Sequence, residues 1–460
     1  VIKLWESPMT GPGDGTGYIA ISAPTLAGET ATYGLTLTLP VNFDQVVVDE
    51  YGATVRATGQ GTFTATGQFT HTFAPLPPEW QTDGGGSWGD ATHWSAASIP
   101  NGPGAKAYFT SALTAPNAPA VITLDGDKTV GEIYFRNQNS HYIEPGSGGS
   151  LILNNAGQDA RIQVDAGSHT ISAPVHLADN ASIDIAVDSR LDIGGRITAA
   201  SGKNLTKKGP GLLHCTIELD PTSTLSVDQG NLSATRIIAG TLRIAAGALT
   251  TLEPTPSPAT SVIHALDIAG SPDAWEGTLD ITRSRLIIQA DAQTAQQVLA
   301  QVSNQVKTGR SDGWKGHGIS SSAAQANEQT GLAVVLNNDG TDQPIFKTFG
   351  DIPADLNSIF VIYTWDGDVT LDGKVDGDDY FLVDSGFISQ LHGYQNGDLN
   401  FDGTVDGDDY FLMDSAFLVQ TGPLDATHPA IPVPEPAALS LLLLGSLPAL
   451  LRRHYRISVS

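Results

Sequence analysis

The chain has 460 residues, more than one ordinary domain holds. Its formal net charge of −26 disfavours phosphate-backbone recognition, which needs a basic face, so no nucleic-acid partner is expected, and it favours divalent cations. With 50 Gly, 27 Pro, 7% aromatic residues and one thiol, Cys215, the composition is that of a turn-rich, mainly β protein without an intrachain disulfide.

The sequence begins at Val1 with neither an initiator Met nor a charged-then-apolar leader, and it reads as a fragment or a processed chain. Residues 1–80 alternate apolar and polar between Gly turns ("GYIAISA", "ATYGLTLTL", "GTFTATGQFTHTF"). This predicts a half-buried sheet, the end of an upstream β domain or solenoid. Pro-rich "APLPPEW" and Gly-rich "TDGGGS" then mark a linker at 81–87. Residues 88–290 carry short apolar runs with Gly, Asn or Asp at their corners, such as "GSLILNNAG" and "ASIDIAVDSRLDIGGRITAA". Such rungs bury little alone but share an elongated core when stacked in parallel, the logic of a β-solenoid. A large sandwich is the competing architecture. Cys215, in the alternating "GLLHCTIEL", reads as a small core residue rather than a nucleophile. Between Asp291 and Gln305, Ala295, Val298, Leu299 and Val302 recur at helical spacing and predict a helix packed on the end of the β-stack. "LAVVLN" and "SIFVIYTWDGDV" supply the last strands.

"GSWGDATHWS" with "IPNGPGAKAYF" (Gly86–Phe109), "VITLDGDKTVGEIYF" (Val121–Phe135) and "VLAQVSNQVKTGRSDGWKGHGISSSAAQAN" (Val298–Asn327) resemble autotransporter-like β-solenoid regions of secreted bacterial proteins. The resemblance spans roughly residues 86–365, with the solenoid assigned to 88–365. It implies an architecture and secretion rather than a reaction.

"GDVTLDGKVDGDDYFLVDSGF" (Gly367–Phe387) recurs as "GDLNFDGTVDGDDYFLMDSAF" (Gly397–Phe417), with 15 of 21 positions identical. Numbered from Asp368, the first loop places Asp368, Thr370, Asp372, Lys374, Asp376 and Asp379 at positions 1, 3, 5, 7, 9 and 12. The second places Asp398, Asn400, Asp402, Thr404, Asp406 and Asp409 there. Ca²⁺ takes six to eight oxygen ligands, and this spacing supplies them, with Lys374 and Thr404 giving only their carbonyls and Gly373 and Gly403 permitting the sharp turn. Two Ca²⁺ ions are therefore expected. The alternative is a solvated acidic run, which would not explain the shared spacing, the glycine and the duplication. Residues 366–425 hold 14 Asp and one Lys, a net of −13, so a cation should supply folding energy. Thr370, a weaker ligand than Asn400, should make the first loop the weaker site.

Asp at position 12 and the duplication resemble dockerin type I modules, placed at 366–424. That resemblance implies a helix after each loop, with Tyr380, Val383 and Phe387 on one stripe and Tyr410, Met413 and Phe417 on the other. It also implies a short β-bridge between Val375 and Val405. Gly377-Asp378 and Gly407-Asp408 stand where the family reads its cohesin partner, so cohesin binding is not carried over; an intramolecular or surface-docking use is equally open.

After a linker at 425–432, the segment 433–457 has Pro434-Glu435-Pro436, an apolar run Ala437–Leu451 and basic Arg452, Arg453 and Arg456. As a helix the run spans about 22 Å, short of a bilayer core, and its basic flank fits a positive-inside orientation. The order resembles a PEP-CTERM sorting signal. That implies export, recognition by an exosortase-type membrane enzyme, and a transient or retained membrane anchor at the cell surface, outer envelope or extracellular matrix.

A catalytic reading competes with the structural one, because β-solenoids can host polysaccharide hydrolases and lyases. Glycoside hydrolysis needs two carboxylates across one bond. Asp184, Asp188 and Asp192 are the candidates, although such alternation more often solubilises a strand face. His141, His169, His176 and His214 lack zinc-like spacing. Trp88, Trp94, Trp275 and Trp314 could stack sugars, or could mark fold boundaries. Three readings follow: an exported calcium-binding surface or matrix protein, a polysaccharide-active enzyme or carbohydrate-binding accessory, and an adhesin. No catalytic residue is assigned.

Overall fold

The computed structural model describes residues 18–23, 25–27, 30–48, 54–72, 77–255, 259–339, 343–350 and 352–424. The chain divides between Leu76 and Pro77 into two compact units. In the first, a long antiparallel hairpin of Thr30–Val48 and Thr54–Thr72 pairs further with Tyr18–Ile21 and Thr25–Ala27.

The second unit is a parallel β-solenoid of about eight turns. One face stacks Ala120–Thr123, His141–Glu144, Ser168–Ile171, Arg190–Ile193, Leu212–Cys215 and Asn231–Ala234 in parallel register. A second stacks Lys128–Val130, Leu151–Leu153 and Val175–Leu177. A third stacks Lys106–Phe109, Glu132–Arg136, Ala160–Ala166, Ala181–Ile185 and Leu205–Lys208. This parallel ladder rules out the sandwich. Alternation within each rung sends one set of side chains inward: Ile133, Ile162 and Ile183 stack in register, as do Phe135, Val164 and Ile185, all buried. Cys215 belongs to this interior, 1% exposed, and burial pushes its thiol pKa up. The corners explain the irregular period. At Gly195 a Cβ would lie 2.2 Å from the Ala173 carbonyl oxygen, and at Gly240 2.1 Å from that of Pro221, so neighbouring coils touch through bare backbone.

Each end of the solenoid is closed differently. At the N-terminal end Trp80, Trp88, Trp94 and Phe109 form an aromatic plug, with Trp88–Trp94 centroids 4.9 Å apart. The Trp88 indole donates to the Pro100 carbonyl at 2.9 Å and that of Trp94 to the Trp88 carbonyl at 2.8 Å, so burial leaves neither donor unpaired. The stack continues inward through Phe135, His141 and His169. At the C-terminal end Ser358–Trp365 inserts antiparallel between Arg285–Gln289 and Thr330–Leu336. That reversal ends the parallel ladder and covers a strand edge that would otherwise pair with another chain.

The expected helix is present as α1 (Ala295–Trp314), longer than its periodic core and broken near its end, where Asp312 and Gly313 have φ of 52° and 66°. Ala295 and Val302 are buried, and Val298 and Leu299 pack partly against the core. The short α2 (Ser322–Ala326) follows. After Trp365 come two further helices, α3 (Gly377–Ser389) and α4 (Gly407–Val419). Among the described residues no helix is long and apolar enough to cross a membrane.

Candidate metal centre

The two acidic loops adopt one backbone twice. Leu371 and Phe401 at position 4 both have φ of 61°, and the glycines at position 6, Gly373 and Gly403, have φ of 87° and 95°. A side chain at position 6 would be strained there, which is the physical reason for the repeated glycine. Each loop ends in a capping box. Asp376 and Asp406 are the N-caps of α3 and α4, with φ of −145° in both, and Asp379 and Asp409 reach back to the N-cap amides at 2.8 and 2.9 Å.

The position-1 and position-12 carboxylates of both loops are buried. Asp368 is 0% exposed and accepts from the Asp372 and Gly373 amides at 3.0 and 2.9 Å and from the Thr364 hydroxyl. Asp379 accepts from the Thr370 amide at 2.9 Å, and Asp409 from those of Leu399 and Asn400 at 2.8 and 3.2 Å. Burial pushes Asp368 up to about 8 and Asp379 up to about 6, and it raises Asp398 and Asp409 as well. Four carboxyls held above their ordinary range in two matching loops are an electrostatic deficit that a divalent cation would relieve. In the second loop Asp398 is 4% exposed, yet its buried Oδ1 has no hydrogen-bond partner. An orphaned carboxylate oxygen is costly and fits a cation ligand.

The remaining positions lie nearer solvent. The Lys374 Nζ sits 2.9 Å from Asp372 and 3.2 Å from Asp376. Thr404 donates to Asp402 at 2.7 Å, and Asn400 accepts from the Asp402 amide at 2.8 Å. Among the described residues no three acidic, histidine or cysteine side chains converge closely enough to make a ready-formed metal cage. The loop carboxylates are turned to backbone amides and to Lys374 instead.

One expectation is corrected. Val375 does not bridge to Val405. Its amide donates to Gln420 Oε1 at 2.8 Å and its carbonyl accepts from Gln420 Nε2 at 2.6 Å. A side-chain amide at the end of α4 supplies both partners that a neighbouring strand would have offered. The helical stripes are only half buried: Val383 and Met413 are fully enclosed, whereas Phe387 and Phe417 are 53% and 48% exposed. Their rings meet Tyr410 and Tyr380 edge-on at 6.1 and 6.0 Å, so α3 and α4 pack by exchange of equivalent residues. Asp414 and Asp384 accept from the Tyr380 and Tyr410 hydroxyls in the same reciprocal way.

The surroundings of the loops were not legible beforehand. Tyr394 is buried, and its hydroxyl donates to the Asp368 carbonyl at 3.3 Å. The Trp365 indole donates to the Gly422 carbonyl at 3.1 Å, and Arg310 of α1 pairs with Asp366 at 2.9 Å. The aromatic residue between the loops and the Trp-Asp immediately before the first were the available signals.

The other candidates fall elsewhere. Asp184 pairs with Arg161 at 3.1 Å, while Asp192 pairs with Arg190 at 2.6 Å and lies 3.3 Å from His214. Asp188 sits at a corner with φ of 58°. Trp88, Trp94, Trp275 and Trp314 are all buried, from 0% to 9% exposed, so none offers a face for stacking a sugar. His141 and His169 are interior rings of the aromatic stack. Pro434, Glu435, Pro436 and the apolar run after them lie outside the described residues. No protein-family model matches the sequence, and no curated protein or solved structure is significantly similar to it.

Proposed function

We propose that the chain is an exported, calcium-binding cell-surface or extracellular-matrix protein. In this reading the solenoid is a scaffold, residues 366–424 are a dockerin-like module of two Ca²⁺ loops, and the segment 433–457 is a PEP-CTERM sorting signal. The observation that carries the calcium reading is the buried, unpartnered Asp398 Oδ1, in a loop whose backbone repeats that of the first. Asp368, Thr370, Asp372, Asp376 and Asp379 would hold one ion, with the Lys374 carbonyl. Asp398, Asn400, Asp402, Asp406 and Asp409 would hold the other, with the Thr404 carbonyl. The ion would supply charge neutralisation and cross-linking of each loop rather than a chemical step.

The sorting reading rests on the order of Pro434-Glu435-Pro436, apolar run and arginines. It makes an exosortase-type enzyme and the membrane the partners of the tail. A cohesin-like partner is not part of the proposal, because Gly377-Asp378 and Gly407-Asp408 depart from the family's pattern.

Calorimetric titration of the chelator-treated chain tests the calcium reading. Two sites are expected, with Asp368→Ala and Asp398→Ala each removing one. Absence of calcium heat in the parent chain would refute it.

A further inference from the structure

The acidic module is not tethered to the solenoid by a free linker. Its first loop begins three residues after the last solenoid strand, and its apolar residues Val369, Leu371, Leu399 and Met413 belong to the same buried core as the closing strands. One side chain from the solenoid reaches the second loop and the residue just ahead of the first. Arg310, in α1, donates through Nη2 to Asp366 Oδ2 at 2.9 Å and through Nη1 to Asp366 Oδ1 at 3.2 Å. The same Nη1 donates to the Leu399 carbonyl at 3.2 Å. Its guanidinium lies over the Trp314 ring, 5.4 Å from the centroid, and its side chain is 17% exposed against 2% for Asp366.

Both contacts lead to a cation position within a residue or two. Leu399 is position 2 of the second loop, and its amide is the donor to Asp409, the position-12 carboxylate. Arg310 therefore fixes the carbonyl of the residue whose N–H orients that ligand. On the other arm Asp366 stands two residues before Asp368, the position-1 carboxylate of the first loop, which the closing strand also holds through Thr364. A planar fork can serve a carboxylate bidentately and a carbonyl beside it; an ammonium would offer a single nitrogen where the fork offers two in one plane.

We infer that Arg310 is a positioning residue for both cation loops, and that calcium loading is thereby linked to closure of the solenoid's C-terminal end. This rests on the calcium reading above. By reciprocity, whatever calcium gains from an ordered α1 and closing strand, those elements gain from calcium.

The test uses the full chain and two readouts, calcium calorimetry and hydrogen exchange followed by peptide. Arg310→Ala would leave Asp366 buried and unpaired and could unfold the region. The informative variants are Arg310→Lys and the double variant Arg310→Met/Asp366→Leu, which removes the pair without stranding a charge. In the parent chain calcium should slow exchange not only in 366–424 but also in 295–314 and 358–365, while rungs at 120–193 stay unchanged. In the double variant calcium affinity should fall about ten-fold, and the slowing at 295–314 and 358–365 should disappear; Arg310→Lys should fall between. If the parent binds calcium but its effect stops at Asp366, or if the double variant matches the parent in both readouts, the linkage is overturned. If the parent binds no calcium, the calcium reading fails and the linkage fails with it.

Discussion

Stripping divalent cations should make residues 366–424 less stable as the pH rises from 4 to 8, the reverse of what paired carboxylates usually do. Asp368 is fully buried, and desolvation lifts its carboxyl from 3.8 to about 8 against the opposing hydrogen bond from Thr364. Asp379 is lifted, chiefly by burial, to about 6. A carboxyl whose folded pKa exceeds its unfolded value holds its proton more tightly when folded. Its contribution is complete below pH 3.8 and is lost as the pH rises towards the folded pKa. At about 1.36 kcal/mol per pH unit, keeping Asp368 protonated at pH 7 costs about 4 kcal/mol. Asp379 adds about 3 kcal/mol, less the part the two share through mutual repulsion. On the proposed reading calcium would reverse the sign, because it would bind only the ionised carboxylates. The assay is hydrogen exchange of the full chain in chelator and in calcium at pH 5, 6.5 and 8, corrected for intrinsic rates. In chelator, protection of 366–424 should fall as the pH rises; in calcium it should hold or increase. Cation-free protection that is flat or grows with pH would refute the reasoning.

The opposite end of the solenoid should respond in the opposite sense. Burial, and secondarily the neighbouring His169, depress His141 from 6.5 to about 3, so stability is lost as the pH falls below 6.5, by about 3 kcal/mol at pH 4; exchange in 106–171 at pH 4 against pH 7 measures it, and no difference would contradict the buried stack. Gly195→Ala should destabilise the solenoid by about 2 kcal/mol or more, since its Cβ meets a carbonyl oxygen of the preceding coil's backbone; a thermal midpoint equal to the parent's would count against the coil contact. Cys215 should stay unreactive to a thiol reagent until denaturant is added, because it is 1% exposed and its thiol pKa is raised by burial. Labelling of the native chain would show that the strand is not where it is placed.

The solenoid was legible because each rung writes its own burial pattern. Leu213, Cys215 and Ile217 alternate with polar residues, and the structure buries all three. What the residues could not give was register. It depends on corners such as Gly195 and Gly240, where the chain turns according to backbone clearance rather than polarity. The spacing of the two acidic loops was visible because its demands are local: a glycine with positive φ at position 6 and acids at fixed offsets. The joint between loops and scaffold was not visible. Arg310 and Leu399 meet across 89 residues of sequence, and so does no periodicity. The Val375–Val405 bridge failed for a related reason, since Gln420 from 45 residues away satisfied the same two backbone groups.

Native mass spectrometry of the full chain, desalted in chelator and then returned to calcium, tests the central claim most directly. Two bound ions are expected in the parent and one in Asp398→Ala, with none retained after chelation. A parent chain that carries no calcium at saturating free ion would contradict it.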